Sequence, residues 1–394
     1  MTGSISEAVN DSISDLSLAP LSLYIHIPWC LKKCPYCDFN SHEFDRVLPE
    51  QDYVDSLLED LILDLPYVQG RSLQSIFIGG GTPSLFSPAA LHKLLETIQS
   101  LIPFAGDIEI TLEANPGTFE QEKFSDFRQT GINRLSIGIQ SFQQNFLEKL
   151  GRVHDAREAL AAPDIARKAG FNNFNLDLMF ALPGQNIEQA LDDLQQAVDC
   201  QAAHISWYQL TIEPNTVFYH RPPRLPLANL IDRMQDGGIA LLESSGYSRY
   251  EISAFSQPGQ QARHNLNYWQ FGDYLGIGAG AHGKISLPQE NRIVRTRKLK
   301  QPKAYLAANG ESGFTVQSDN IPAQDLTLEF MMNALRLTGG VSRELFQART
   351  GLSLKSIDAI LISLQEQNLL RTDTLATTPK GLNLLNNVLH AFMI

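Results

Sequence analysis

Apolar and polar positions alternate in blocks over the first half of the chain, and these blocks predict strands separated by helices. Residues 21–27 form an apolar run typical of a buried strand. Residues 49–65 then carry apolar side chains at helical spacing, between two prolines that favour a helix start and a helix end. The same order recurs as far as residue 211. Predicted strands cover 21–27, 75–78, 107–113, 133–139, 173–180 and 203–211, and predicted helices cover 49–65, 87–101, 118–129, 155–169 and 186–200.

Six near-continuous apolar strands joined by helices indicate an α/β fold with a parallel sheet. Parallel neighbours need a crossover connection, which is usually a helix that covers one face of the sheet. A closed (β/α) barrel has eight such units. We therefore predict an open or partial (β/α)6 barrel over residues 21–215, preceded by a disordered tail over residues 1–20.

The regular alternation of strands and helices ends after residue 215. A helix over 227–245 and a strand over 246–255 are predicted, followed by a polar loop and a Gly/Ala-rich segment at 276–283, which implies close backbone approach. We interpret residues 216–320 as an extension of the barrel. Residues 321–394 are predicted to be helical with short spacers, in an order that resembles a winged-helix module.

Composition and charge narrow the functional classes. The chain has 394 residues, of which 43% are hydrophobic and 19% charged, and a net charge of −12. An acidic balance argues against a nucleic-acid partner, because such binding relies on clustered Lys and Arg. Lys355 stands alone in the predicted helices over 353–370, so we interpret the terminal module as a lid or docking surface. With no apolar run of membrane-spanning length and no targeting segment, we expect a cytoplasmic protein.

Three cysteines with CxxxCxxC spacing, Cys30, Cys34 and Cys37, directly follow the first predicted strand. Thiolates are soft ligands, and three on one loop can bind an iron–sulfur cluster while leaving a fourth iron open. A closed zinc site needs a fourth nearby ligand, for which His42 is the candidate, so zinc is the second interpretation. A disulfide is the weakest interpretation, because Cys200 lies far along the chain.

Polar residues are concentrated where the predicted strands end. Glu113, Gln140 and Asp177 lie at or near three such ends, and Arg152 lies just before a helix start. Folds of this kind keep their chemistry at that face of the sheet. Carboxylates suit ribose hydroxyls, and an Arg suits a carboxylate. Taken singly, each residue is as typical of a helix cap or an ion pair, and the GGGTP segment at 79–83 is as typical of a tight turn.

Several motifs together resemble the radical S-adenosylmethionine (SAM) superfamily, in the branch that contains oxygen-independent coproporphyrinogen III oxidase and the HemW-type heme chaperones. They are YxHIPxCxxxCxYC, GGGTP, LEANP, GIQSF with GRxH, and NxDLMFALPGQ. The resemblance implies that Cys30, Cys34 and Cys37 bind a [4Fe-4S] cluster whose open iron binds SAM. It also implies SAM contacts from Tyr24, Tyr36, Gly80, Gly81, Thr82, Glu113, Gln140, Arg152 and Asp177.

The chemistry implied by the resemblance is reductive cleavage of SAM by an electron that a donor protein supplies to the cluster. Two departures bear on the use of that chemistry. The oxidases resembled here carry a further cysteine where this chain has Phe39, and they have a longer N-terminal extension. Oxidative decarboxylation of coproporphyrinogen III is therefore the alternative function, and whether the chain is an enzyme is left open.

The segment His264–Trp269 resembles the HNxxYW heme-binding signature of HemW-type proteins. The resemblance implies heme contacts from His264, Asn265, Tyr268 and Trp269, because a histidine can ligate heme iron and aromatic rings can pack on the macrocycle. The other interpretation is a hydrogen-bonded histidine on a loop, with both aromatic rings in the core. His282, in the glycine-rich segment, is a further candidate ligand.

The resulting hypothesis is a heme chaperone that carries a cluster and SAM, binds heme and transfers it to a haemoprotein acceptor. The cluster would support dimerisation or heme release, so a homodimer is a further expectation. A nucleic-acid regulator that uses the winged helix is a third hypothesis, which the acidic charge does not favour.

Overall fold

The strands and helices follow the predicted order. The structure is a computed structural model that describes residues 13, 15–44 and 47–393. Its strands are β1 (Leu21–Ile27), β2 (Trp29–Cys30), β3 (His42–Glu43), β4 (Leu73–Gly80), β5 (Phe104–Ala114), β6 (Arg134–Gln140), β7 (Phe174–Phe180), β8 (His204–Gln209), β9 (Ser248–Arg249), β10 (Ala254–Ser256), β11 (Asp273–Ile277), β12 (His282–Leu287), β13 (Arg292–Lys298) and β14 (Thr315–Asn320).

The α-helices lie between the strands of the barrel and then dominate the end of the chain. They are α1 (Glu50–Asp64), α2 (Pro88–Leu101), α3 (Thr118–Gln121), α4 (Phe124–Gln129), α5 (Gln144–Lys149), α6 (Ala156–Lys168), α7 (Ile187–Asp199), α8 (Val217–His220), α9 (Ala228–Ser244), α10 (Arg263–Trp269), α11 (Pro302–Leu306), α12 (Ala323–Ala334), α13 (Arg343–Thr350), α14 (Asp358–Glu366), α15 (Pro379–Asn383) and α16 (Leu385–His390).

One sheet organises the chain, in the order β14-β13-β12-β11-β1-β4-β5-β6-β7-β8-β10-β9. The six predicted strands β1 and β4 to β8 are parallel neighbours in chain order, which confirms the α/β fold with a partial barrel. β11 adds a further parallel strand beside β1, and β12 to β14 continue as antiparallel strands. The Gly/Ala-rich segment therefore connects two strands. Gly276 permits this pairing, because a side chain there would collide with the backbone of His282.

Two predicted elements are divided in the structure. Residues 246–255 form two short strands, β9 and β10, rather than one. The turn between them is held by the Glu251 carboxylate, which accepts hydrogen bonds from the backbone N–H of Ser253 at 2.9 Å and from its hydroxyl at 3.0 Å. The predicted helix over 118–129 is likewise divided into α3 and α4.

Residues 16 and 17 pack against the C-terminal helices. Residues 1–12 and 14 of the predicted tail lie outside the described residues. Leu16 and Ala19 are buried, and the Ser17 N–H donates to the carbonyl of Ala348 at 2.9 Å. Leu16 shares a core with the helices α12 to α14 and α16. The Ala19 carbonyl accepts from Arg71 Nη1, just before β4, at 2.7 Å, so residues 16–19 join the C-terminal helices to the barrel.

The C-terminal region is helical, as predicted, and contains two isolated β-bridges, Val341 with Leu375 and Leu370 with Thr377. Phe330 and Phe346 pack edge to face in its core, with ring centroids 5.3 Å apart. None of the helices in the described part of the chain is long and apolar enough to cross a membrane.

A buried cluster of charges attaches the antiparallel strands to the barrel. Lys298, at the end of β13, lies 2.6 Å from Asp60 and 2.7 Å from Asp64 of α1. The Tyr305 hydroxyl donates to Asp60 at 2.6 Å. Burial raises the pKa of Asp64 to about 6, although the ammonium of Lys298 opposes this shift. Because buried charges need partners, this cluster fixes β13 relative to α1.

Candidate functional site

The cysteine loop is held against the first parallel strands. Cys30 ends β2, which pairs with β3, and the Cys37 N–H donates to the Cys34 carbonyl at 3.1 Å. The glycine loop after β4 is hydrogen-bonded to the same segment, with the Gly81 N–H 2.7 Å from the Ile27 carbonyl and the Thr82 N–H 2.7 Å from the Trp29 carbonyl.

The glycines after β4 are required by this close approach. A side chain at Gly81 would collide with the backbone of Trp29, and one at Gly80, where φ is +117°, would collide with the ring of His26. The GGGTP motif therefore allows two loops to meet. Its position also leaves the backbone of Gly80 and Gly81 at the wall of a cavity.

The cavity beside the cysteine loop, here the cluster cavity, has a volume of about 290 Å³. It brings together the three cysteines and eight of the nine residues predicted to contact SAM. Those eight are Tyr36, Gly80, Gly81, Thr82, Glu113, Gln140, Arg152 and Asp177. Tyr24 lines a neighbouring cavity instead.

The cysteines suit an iron–sulfur cluster. Arg152 lies against Cys34, with its guanidinium Nη1 3.5 Å from the sulfur, a cation placed to stabilise a thiolate. Burial raises the pKa of the Cys30 and Cys37 thiols, so binding a metal would have to displace their protons. Among the described residues, no three His, Cys, Asp or Glu side chains surround a single metal position. An iron–sulfur cluster does not require its ligands to surround one position, because each thiolate binds a different iron.

The acidic side chains of the cluster cavity are oriented by hydrogen bonds. Glu113 accepts from the Gly80 N–H at 2.9 Å, and burial raises the pKa of its carboxyl to about 7. Asp177 accepts from the Ser136 hydroxyl at 2.9 Å and from the Asn175 amide at 2.8 Å. Burial raises the pKa of Asp177 as well. Both carboxylates are thus fixed in position and suited to receive hydroxyl or ammonium donors.

Asn115, Ser136 and Tyr208 also line the cluster cavity, hold predicted site residues in place and were not predicted as site residues. Asn115 accepts from Arg152 Nη2 at 2.6 Å, and Tyr208 donates to the Gln140 side chain at 2.9 Å, while Ser136 holds Asp177. Asn115 lies two residues after Glu113 in the LEANP motif, which was a usable signal. Ser136 and Tyr208 lie inside strands, where nothing in the sequence separates them from ordinary sheet positions.

A second and larger cavity, here the large cavity, adjoins the cluster cavity and has a volume of about 920 Å³. Phe39, Gly80 and Glu113 line both. The Phe39 side chain is 60% exposed although it is a large apolar ring. The remaining wall combines aromatic and cationic side chains. The aromatic residues are Tyr24, Tyr268, Trp269, Phe271 and Tyr274, and the basic residues are His26, His282, Lys284, Arg295, Arg297, Lys298 and Lys300.

The HNxxYW segment forms α10 and divides between the cavity and the sheet. Tyr268 and Trp269 line the large cavity, whereas His264 and Asn265 do not. The His264 ring is buried, with Nδ1 2.9 Å from the Ser75 hydroxyl and Nε2 3.0 Å from the Tyr268 hydroxyl. Burial lowers the pKa of His264 to about 3. The structure therefore does not bring His264 and Asn265 to the large cavity, although heme contacts were predicted for both. The other interpretation, a hydrogen-bonded histidine on a loop with both aromatic rings in the core, also differs from the structure, because the segment is a helix and both rings line the cavity.

Comparison with known proteins first defines the class. Residues 24–197 match the model of the Radical SAM superfamily, and residues 321–384 match that of the HemN C-terminal domain. The solved structure of coproporphyrinogen III oxidase (HemN) from Escherichia coli superposes with a TM-score of 0.80, covering 96% of this chain and 91% of that one. At 23% identity this likeness bears on the fold alone. The class is that of radical SAM proteins with a HemN-type C-terminal domain.

Full-length relatives then define the family. The heme chaperone HemW of Haemophilus influenzae is 49% identical over 382 residues, which cover 95% of this chain and 98% of that protein. The heme chaperone HemW of Escherichia coli is 47% identical over 380 residues, which cover 96% and 99%. The chain belongs to the heme chaperone HemW family.

Proposed function

We propose that the chain binds heme in the large cavity, beside a [4Fe-4S] cluster and SAM in the cluster cavity, and passes the heme to a haemoprotein acceptor. The observation that carries this proposal is the make-up of the large cavity. Its volume falls within the range of about 300 to 1,000 Å³ found for cofactor sites, and its wall combines ring surfaces with cations. Heme is a flat aromatic macrocycle with two carboxylate side chains, so its binding site needs both aromatic surfaces and cations.

In this proposal Cys30, Cys34 and Cys37 hold the cluster, which when bound supplies an electron for SAM cleavage. The protein residues orient SAM. Arg152 is half-buried beside Cys34 and can pair with a carboxylate, and the fixed carboxylates of Glu113 and Asp177 can accept from an ammonium or from ribose hydroxyls. The remaining predicted contacts of the cluster cavity would line the bound molecule.

Tyr24 is also proposed as a SAM contact, although it lines the large cavity. Its hydroxyl lies 2.9 Å from His26 Nδ1, next to the glycine loop that both cavities share. Phe39 lies on the same boundary. Tyr24 and Phe39 would therefore separate SAM from heme, and either ring could touch both.

Two cations are proposed to receive the heme propionates. Arg297 and Lys300 line the large cavity, and their side chains are exposed. Neither side chain forms a hydrogen bond or an ion pair with any described residue. Arg295, in contrast, is already paired with Glu329. Unpaired cations at the wall of an aromatic cavity are suited to carboxylates, because each can form a charge-assisted hydrogen bond.

The proposal extends to partners and location. A haemoprotein acceptor must reach the large cavity, and a donor must reduce the cluster. A cytoplasmic location fits thiols that must remain reduced to bind iron. Dimerisation supported by the cluster is part of the same hypothesis, as are heme contacts from Tyr268 and Trp269, the residues of the HNxxYW segment that line the large cavity.

Heme titration tests the proposal. The double variant Arg297→Ala/Lys300→Ala should bind heme roughly tenfold more weakly than the unmodified protein, because two exposed charge pairs each contribute up to about 1 kcal/mol. The measurement is the Soret absorbance of cluster-reconstituted protein during titration with hemin.

The matched control is Arg292→Ala/Lys303→Ala, which removes the same charge types from outside the large cavity. Its heme affinity should equal that of the unmodified protein. Equal weakening in both double variants would show that only overall charge matters, and an absence of any saturable Soret change would overturn the proposed function itself.

A further inference from the structure

The histidines at the wall of the large cavity differ in what their rings contact. Among the described residues, His26 and His282 are the histidines that line it. The His26 ring is occupied on both sides, by the Tyr24 hydroxyl at 2.9 Å and by the Asn40 carbonyl at 2.9 Å. The His282 side chain is exposed, and its ring has no hydrogen-bond partner within the described part of the chain.

The backbone fixes the direction in which His282 faces. It is the first residue of β12 and lies opposite Arg297 in the antiparallel pairing with β13. The residues before it are held by hydrogen bonds from the Gly280 N–H to the Leu299 carbonyl at 2.8 Å and from the Lys298 N–H to the Ala281 carbonyl at 2.9 Å. A ring at this position is therefore presented from a rigid strand and not from a mobile loop.

The other side chains of the cavity that could ligate iron are less suited. The Tyr268 hydroxyl is bonded to His264, and the Tyr274 hydroxyl lies 3.3 Å from Arg295 Nη1. Burial raises the pKa of both phenols, which disfavours the phenolate that iron requires. Lys284 and Lys298 are buried in ion pairs with Asp273 and with Asp60 and Asp64. Of the described imidazole and phenol groups that line the large cavity, the ring of His282 is the one without a hydrogen-bond partner.

We propose that His282 is the axial ligand of the heme iron, and that Arg297, its neighbour across the strand pair, binds a propionate of the same heme. This inference rests on the proposed function and assigns a ligand within that site. The imidazole is available for iron because neither ring nitrogen is engaged by another group in the described part of the chain.

The contacts of His264 indicate a structural role and not iron binding. Its Nε2 holds the Tyr268 hydroxyl, and its ring packs on Phe77 with centroids 5.2 Å apart. Tyr268 in turn lines the large cavity. His264 is thus a positioning residue that fixes the aromatic wall of the heme site and does not itself bind iron.

Spectroscopy of the heme-loaded protein separates these two roles. His282→Ala should lose the electron paramagnetic resonance and magnetic circular dichroism signals of histidine-ligated ferric heme and should bind heme at least about tenfold more weakly, the lower end of losses seen when residues around a metal are removed. Added imidazole should restore the ligated spectrum. His264→Asn should keep the histidine-ligated spectrum even if its affinity falls.

The control is His92→Ala, an exposed histidine on α2, and circular dichroism with the cluster absorbance checks that each variant folds. A wild-type spectrum in His282→Ala, or loss of histidine ligation in His264→Asn alone, would overturn the assignment while leaving heme binding intact. A protein that binds no heme before any substitution would instead overturn the proposed function and this inference with it.

Discussion

Replacing Cys30, Cys34 and Cys37 together with serine should lower the iron content of the reconstituted chain from about four atoms to nearly none, since the three thiolates are the proposed protein ligands of one [4Fe-4S] cluster. Serine preserves size but is a poor ligand for iron. The broad visible absorbance of the cluster should disappear with the iron. Iron and sulfide analysis, together with absorbance after anaerobic reconstitution, measures the effect.

Cys200→Ser is the matched control. Cys200 caps the end of α7, in contact with Gln196 and away from the cluster cavity, so this variant should keep its full iron content. Iron retained by the triple variant would contradict the assignment. One tightly bound zinc per unmodified chain, with no sulfide, would favour the zinc alternative raised by the spacing.

Lys298→Met should lower the free energy of unfolding by about 3–5 kcal/mol, the cost typical of removing one partner from a buried ion pair. The Lys298 side chain is 1% exposed and lies between two carboxylates, those of Asp60 and Asp64. Without the ammonium, both acids would be buried with no counter-charge. Urea denaturation of cluster-free protein measures the loss, and Lys303→Met, a change at an exposed neighbouring position, should alter stability little.

The loss should also depend on pH. Burial already raises the pKa of Asp64 to about 6, above its ordinary value, and removing Lys298 should raise it further. A carboxyl whose folded pKa exceeds its unfolded pKa binds more protons when folded, so its contribution to stability falls as pH rises. The destabilisation of Lys298→Met should therefore be larger at pH 8 than at pH 5. A pH-independent loss would indicate that packing, and not charge, is what Lys298 provides.

The cluster cavity was predictable because of one property of parallel sheets. Glu113 and Gln140 come from distant parts of the chain, but each lies at or next to the carboxyl end of a strand, and those ends meet at one face. Strand position alone did not separate Tyr24 and Asp177 from ordinary sheet residues. They lie in the middle of β1 and β7, where the side of the sheet that a residue faces depends on register and neighbours.

The large cavity was only partly predictable. Four of its cations, Arg295, Arg297, Lys298 and Lys300, lie close together in the sequence. The pairing of β11 with β1, however, joins residues about 250 positions apart, as Leu21 opposite Asp273 illustrates. No local periodicity encodes such a contact. Glycines at 276 and 283 also interrupt the apolar pattern that would have marked β11 and β12 as strands.

The HNxxYW segment shows the limit of assigning roles from a motif. Tyr268 follows His264 by one helical turn, so both lie on neighbouring positions of α10, and a motif alone does not indicate which ring reaches the cavity. In the structure His264 points at Ser75 in β4, and Tyr268 lies between His264 and the cavity. The residue that looks most like an iron ligand in the sequence is thus the one whose ring is occupied.

A crystal structure of the cluster-reconstituted protein loaded with heme, with iron located by its anomalous scattering, tests the central claim most directly. The predicted result is a cluster signal at Cys30, Cys34 and Cys37 and a second iron in the large cavity, within coordination distance of His282. The contradicting result is heme iron bound elsewhere on the chain, with the large cavity empty and the rings of Phe39 and Trp269 free of porphyrin.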